Sequence, residues 1–316
     1  MAVVKITLGC LYPDIMSSHG DRGNVETILR RCEWRGIAAE VRDLRIGDRL
    51  GPDELDLILI GGGGESQQRL IAADLHKVKA AGIREAVAQG AAALAIGGGY
   101  ELFGRFCQPE VGAEFRGAEL FDTWTIRLCP ASARAPVDAG APVHARAPID
   151  ASAPVHDDAS SHAAVPGPAV AVHSPSDDCG PIYPARAERF IGELVVRWHD
   201  TLLVGFENHS GGTYLGATAQ PLGEVISGYG NNGGGSEGVI LGNAVGTNLR
   251  GPCLPRNPAL ADFLIAAALR RRHGTTELAP LPDELEHAAH DVAIARARQA
   301  RQARRARRAR RARFAG

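Results

Sequence analysis

The stretch AAALAIGGGYELFG, residues 91–104, decides the fold. Ala93-Leu94-Ala95-Ile96 is a small apolar run that stops at Gly97-Gly98-Gly99, and Tyr100-Glu101-Leu102-Phe103 then opens like a helix. A buried strand passing through a tight turn into a helix is how α/β enzymes raise one side chain above a sheet. The same turn leaves the first N–H groups of the helix free to hold an oxyanion. Glycine on both sides of the apex tolerates the strained dihedrals and the close approach of helix and strand. The apex residue is Gly97, so the pattern is a nucleophile elbow without a nucleophile.

Working outward, strands and helices alternate. VVKITLG, residues 3–9, is a β-branched first strand. An amphipathic helix follows, with Asn24 as its N-cap, running to about Trp34 and closed by Gly36. Ala38 to Val41 is a second strand, and Leu57-Ile58-Leu59-Ile60 a third that is apolar throughout and ends in Gly61-Gly62-Gly63-Gly64. A continuously apolar strand is buried on both faces, which implies a parallel sheet covered by helices. Two separate helices, around Leu70 to Val78 and Gly82 to Gln89, lead to the elbow strand. The alternation predicts a doubly wound α/β sheet. Further on, residues 188–196, 202–206 and 236–241 read as strands, and Pro258 opens a helix to about Arg272.

At 316 residues with 45% hydrophobic content the chain has ample length for a buried core. No apolar run approaches the roughly 20 residues that span a bilayer. The N-terminus reads as a strand rather than a leader, and six scattered cysteines with no C-x-x-C pair fit a cytosolic chain with free thiols. No cofactor or metal is implied. The formal net charge of −1 hides an asymmetry, because ten arginines fall between Arg296 and Arg313 and leave the remainder clearly acidic.

Composition divides the chain into a globular unit of residues 1–128 and 187–273, an insert of 129–186 and a helical, arginine-rich tail of 274–316. In the insert, prolines recur every six residues at Pro136, Pro142, Pro148 and Pro154. Such Ala/Pro-rich text predicts an extended, mobile segment in which His144 and His156 are solvated bystanders. The tail reads either as a solvated helix or as an electrostatic contact for a nucleic acid, a membrane surface or an acidic partner. No aromatic residue is interleaved with its arginines, so nonspecific attraction ranks above base recognition.

LYPDIMSSHGDRGN, LIGGGGESQQ, IGGGYELFG, VGFENHSGGTY, SGYGNN and GTNLRGPCLPRNP occur in this order. Together they resemble the GatD family of class I, cobyric-acid-synthase-like glutamine amidotransferases. The resemblance covers nearly all of the globular unit and neither insert nor tail. It implies a flavodoxin-like three-layer α/β fold. It also implies a glutaminase that forms a heterodimer with a MurT-like Mur ligase, supplying ammonia to amidate D-glutamate of lipid II in peptidoglycan synthesis.

That chemistry needs a thiolate to attack the carboxamide, a histidine to move protons, and N–H donors for the oxyanion. By resemblance the family's cysteine falls on Gly97, its histidine on Arg250, and a glutamine on Glu101. Gly62 and Gly98 match the oxyanion donors, and Arg189 matches the arginine that holds the carboxylate of glutamine. Glycine can form no acyl-enzyme, and a guanidinium is no general base. Glutamine hydrolysis is therefore expected to be impaired. Two alternatives stand beside this pseudo-glutaminase. One is an enzyme with a displaced nucleophile, for which Cys10 and Cys107, the latter expected in the helix after the elbow, lie nearest in sequence. The other is a binding or regulatory module with an anionic partner for the arginine tail. His209 is expected to be a structural hydrogen-bonding residue, and Cys253 a small buried hydrophobe.

Overall fold

A computed structural model describes residues 4–109, 112–127 and 189–314; the proline-rich insert, with His144 and His156, lies outside the described residues. The first half contains β1 (Lys5–Leu11), α1 (Arg22–Glu33), β2 (Ala38–Leu44), β3 (Leu57–Ile60), α2 (Glu65–Asp74), α3 (Ala80–Ala88), β4 (Ala92–Ile96) and α4 (Gly98–Phe103). Short strands β5 (Phe106–Gln108), β6 (Phe115–Arg116) and β7 (Thr123–Arg127) follow. After the insert come β8 (Phe190–Trp198), β9 (Thr201–His209), β10 (Gly211–Leu215), β11 (Gly223–Ser227), β12 (Ser236–Glu237), β13 (Val239–Leu241) and β14 (Ala244–Thr247). Two helices, α5 (Pro258–His273) and α6 (Glu284–Phe314), complete the described chain.

The central sheet has the order β13-β14-β4-β3-β1-β2 and is parallel except at the β13 edge. Its strands alternate between two cores. Leu57 and Leu59 of β3 face the side covered by α1 and α5, with Ile28, Leu260 and Leu264. Ile58 and Ile60 face the opposite side, with Ile71, Leu75 and Ile83. This is the helix–sheet–helix layering that the apolar β3 run predicts, because neither face of such a strand can be left to water. Two smaller four-stranded sheets, β10-β7-β5-β6 and β12-β11-β8-β9, pack beside it.

Several local expectations change. The helices predicted at 70–78 and 82–89 are one continuous run, joined by a π-helical turn at Leu75–Lys79. Gly82 is not a break: a Cβ there would drive into the carbonyl of Leu50, so the glycine permits close packing. Asn24 does not cap α1, which begins two residues earlier; its buried Oδ1 accepts the N–H of Leu254 at 2.9 Å. The strand predicted at 236–241 is two short strands in different sheets, split at Gly238, whose φ of +62° turns the chain. Cys107 lies in β5, not in a helix.

The arginine-rich tail is not wholly solvated. Ala293 and Ala297 of α6 are buried against Val195 of β8 and Val204 of β9. Ahead of α6, Asp283 meets Arg31 of α1, whose guanidinium also forks onto Asp262 of α5 with two bonds of 2.8 Å. The first half of the tail helix thereby packs against β8 and β9.

Candidate active site

The six-residue helix α4 starts from the end of β4 through Gly97, which has φ 52° and ψ −112°. A side chain at that φ is strained, so glycine suits the turn. The N–H of Gly97 is held by the carbonyl of Thr247 at the end of β14, 2.8 Å away. Beside it, Gly98 and Gly99 press on the loop after β3. A Cβ on Gly99 would lie 2.7 Å from the Gly61 carbonyl oxygen, and one on Gly98 would strike the Gly63 backbone. Two glycine-rich turns touch backbone to backbone, an approach that larger residues would prevent.

The segment after β14 brings Arg250 to the apex. Its backbone exchanges hydrogen bonds with Phe206 of β9, 2.9 and 3.1 Å long, which fixes its place on the sheet edge. The buried guanidinium then lies over Gly97, where Nε, Cζ and Nη2 fill the space a Cβ would enter. Nη1 is 3.4 Å from Nδ1 of His19, and Nε has no hydrogen-bond partner. Burial draws the pKa of this guanidinium below the ordinary arginine value; Glu101 and Asp21 oppose the shift, while Arg127 and Arg189 add to it. Gly97 and Arg250, the positions that the resemblance matches to a nucleophile and a base, are thus in contact.

Glu101, at the position matched to a family glutamine, is buried in an ion pair with Arg127 of β7 at 2.5 Å. Its carboxylate also accepts Nε2 of Gln68, 2.9 Å away, and the same amide donates to the Gly63 carbonyl at 3.0 Å. Sequence reasoning missed Arg127; an acid standing in an otherwise neutral motif was its one signal.

The donor expected at Gly62 is already engaged. Its N–H bonds Oδ2 of Asp21 at 2.6 Å. Burial pushes the Asp21 carboxyl up to about 6, against the pull of the Gly62 bond and of Arg250. A cavity of about 370 Å³ opens beside it, lined by Cys10, Met16, Ser17 and Asp43 among others. Gly98 opens the first turn of α4, where backbone N–H groups lack intrahelical acceptors.

Arg189 is exposed and donates from Nε to Oδ1 of Asn208 at 3.0 Å. It lies near enough that its charge, after burial and Arg250, helps push the His19 imidazole below its ordinary value. His19, with φ 62°, also escaped sequence reasoning; it sits inside the quoted HGDRGN run.

The FENH and GYGNN segments build the frame. His209 pairs Nδ1 with the carbonyl of Gly211 at 2.8 Å, as a structural histidine would. Glu207 accepts the N–H groups of Tyr229 and Gly230 at 2.8 and 2.9 Å. Asn231 clamps both backbone groups of Gly238 and receives the hydroxyl of Tyr100 from α4. Glu237 takes the Thr247 hydroxyl at 2.8 Å and the Asn248 N–H at 2.6 Å, which steers the chain toward Arg250.

The described cysteines, Cys10, Cys32, Cys107 and Cys253, are all buried, and burial pushes each thiol up to about 12. Cys107 stands near Glu101 and Arg127, whose opposed charges act on it after burial. Among the described residues, no cluster of three or more His, Cys, Asp or Glu could hold a metal ion.

A sequence profile described as a CobB/CobQ-like glutamine amidotransferase domain matches residues 7–128 and 182–258. Two curated relatives align over most of the chain. Subunit GatD of the glutamine-hydrolysing lipid II isoglutaminyl synthase from Staphylococcus aureus is 27% identical over 298 residues, covering 93% of this chain and 97% of the relative. The subunit of the same name from Streptococcus pneumoniae is 25% identical over 273 residues, covering 85% of this chain and 83% of the relative. Among solved structures, PurLQS from Thermotoga maritima aligns at 13% identity with a TM-score of 0.44, over 85% of this chain and 99% of its own. A glutamine amidotransferase from the same organism aligns at 13% identity with a TM-score of 0.43, over 91% and 93%.

Proposed function

The chain belongs to the CobB/CobQ-like glutamine amidotransferase family, and on that footing we propose that it is the GatD-type subunit of a lipid II isoglutaminyl synthase whose own glutaminase step is silent. In this reading it acts in the cytoplasm, in peptidoglycan synthesis, and pairs with a MurT-like Mur ligase that draws on free ammonia. The observation that carries the loss of activity is the Arg250 guanidinium lying over Gly97. Glycine offers no atom to bond the carboxamide carbon. A protonated guanidinium has five donors and no lone pair with which to take a proton. Loss of either member of a nucleophile–base pair removes several powers of ten in rate.

The relatives are named as subunits of a glutamine-hydrolysing lipid II isoglutaminyl synthase, which supports the assignment of substrate and partner. Arg189 fits the role of a carboxylate-binding residue, since its guanidinium is exposed and held only by Asn208 among the bonds described. The decisive measurement is ammonia release from glutamine by the native chain beside the Gly97→Cys/Arg250→His variant, together with co-purification of a Mur ligase. The native protein should release none above background and still bind the ligase. Release by the native chain that a thiol alkylator abolishes would establish the displaced-nucleophile reading instead.

A further inference from the structure

An enzyme acting on a lipid-linked substrate must meet a bilayer face, yet no helix among the described residues is long and apolar enough to cross one. We propose that the basic half of α6 is a docking element for the anionic surface of a lipid bilayer; this rests on the lipid II reading above.

Three observations favour that occupant. First, α6 is mounted on the body rather than tethered to it. Ala293 and Ala297 are buried under β8 and β9, His290 pairs with the Arg256 carbonyl at 2.8 Å, and Asp283 is gripped by Arg31. Beyond Ala297, Arg298 and Arg301 are exposed, and the same helix continues to Phe314.

Second, the repeat ARRARRARRAR of residues 303–313 has a period of three on a helix of 3.6 residues per turn. No aliphatic residue larger than alanine interrupts that repeat, so its composition carries dense positive charge and little to insert between acyl chains, which suits a diffuse anionic plane.

Third, the arginine run contains no aromatic residue to stack on bases, and the remainder of the chain is acidic. An acidic body is repelled by the plane that attracts the tail. The tail thus approaches first and the body stands off. Polybasic segments are held at such surfaces by charge and released by salt within a Debye length.

The test is sedimentation of the full-length protein with vesicles of phosphatidylglycerol mixed into phosphatidylcholine, against phosphatidylcholine alone, across a salt series. A variant with the arginines from Arg304 to Arg313 changed to Gln leaves Asp283, His290, Ala293 and Ala297 in place, and circular dichroism checks that it folds. The native chain should bind the anionic vesicles only, lose them as salt rises, and lose at least about 100-fold in apparent affinity in the Gln variant. Equal binding to neutral vesicles, no vesicle binding at low salt, or displacement by a short RNA duplex at lower concentration than by free lipid would overturn the proposal. Vesicle binding reads the tail and not the amidotransferase domain. Failure here leaves the subunit assignment standing, and failure to bind a ligase would leave this result unchanged.

Discussion

The guanidinium of Arg250 occupies the volume that any side chain on Gly97 would enter. The two residues are 153 positions apart and follow the ends of β4 and β14, neighbouring strands that pair in parallel. Each makes the other tolerable. The missing side chain leaves room for a long cation, and the cation fills a void that would otherwise sit against buried backbone.

This pairing makes substitutions at the two positions non-additive. Gly97→Cys alone forces Arg250 aside and places a side chain at positive φ, at a cost of about 1–3 kcal/mol. In the Gly97→Cys/Arg250→His protein the steric part of that cost should vanish. Urea melts of the four proteins of the cycle are expected to give a coupling of about 0.5–3 kcal/mol. Simple addition would show that the overlap is relieved in some other way.

Asp21 should titrate near pH 6 in the native protein. Its folded pKa is raised from the ordinary 3.8, so between those values the folded chain binds more protons than the unfolded one, and stability falls as pH rises through that window. The two-unit gap corresponds to about 3 kcal/mol at most. Carbon-detected NMR of the carboxyl gives the midpoint, and Asp21→Asn should flatten the stability profile between pH 4 and about 6. A midpoint at an ordinary carboxylate value would remove the basis for this expectation.

Asp283 behaves in the opposite sense. The bond from Arg31 holds its carboxyl below the ordinary 3.8, so its contribution is fully present above that value and is lost as pH falls through the lower folded one. Thermal melts into acid should show the loss, and Asp283→Asn should lack that part of it. Since Arg31 is nearly fully buried, Arg31→Met removes the cation from between Asp262 and Asp283 and should release α6, read as faster hydrogen exchange at Ala293 and Ala297.

Glu101 and Arg127 form a buried pair at 2.5 Å, so removing one charge strands the other. Glu101→Gln, a change toward the residue that the family resemblance expects, should destabilise by about 3–5 kcal/mol. Arg127→Met in the same chain should recover most of the loss. If Glu101→Gln is neutral in a denaturant melt, Arg127 has found another partner.

Much of the architecture was legible in the sequence because it depends on local patterns. The apolar β3 run, the β4 run and the glycines after each define strands buried on both faces and the turns that end them, whatever surrounds them. The helix boundaries were less legible. Gly82 and Asn24 carry the chemistry of a helix break and a cap, but both are used for long-range packing, against Leu50 and Leu254. Tertiary contact outweighs intrinsic preference at such positions.

The sequence by itself determined that position 97 has no side chain and position 250 a permanent cation, since these are matters of residue identity. Only the tertiary structure decided that the one fills the space left by the other, that Asp21 takes the Gly62 donor, and that Arg127 balances Glu101. These partners lie 26 to 153 residues apart. A pattern along the chain shows which groups need a partner; parallel pairing of distant strands in a dry interior chooses which partner each one meets.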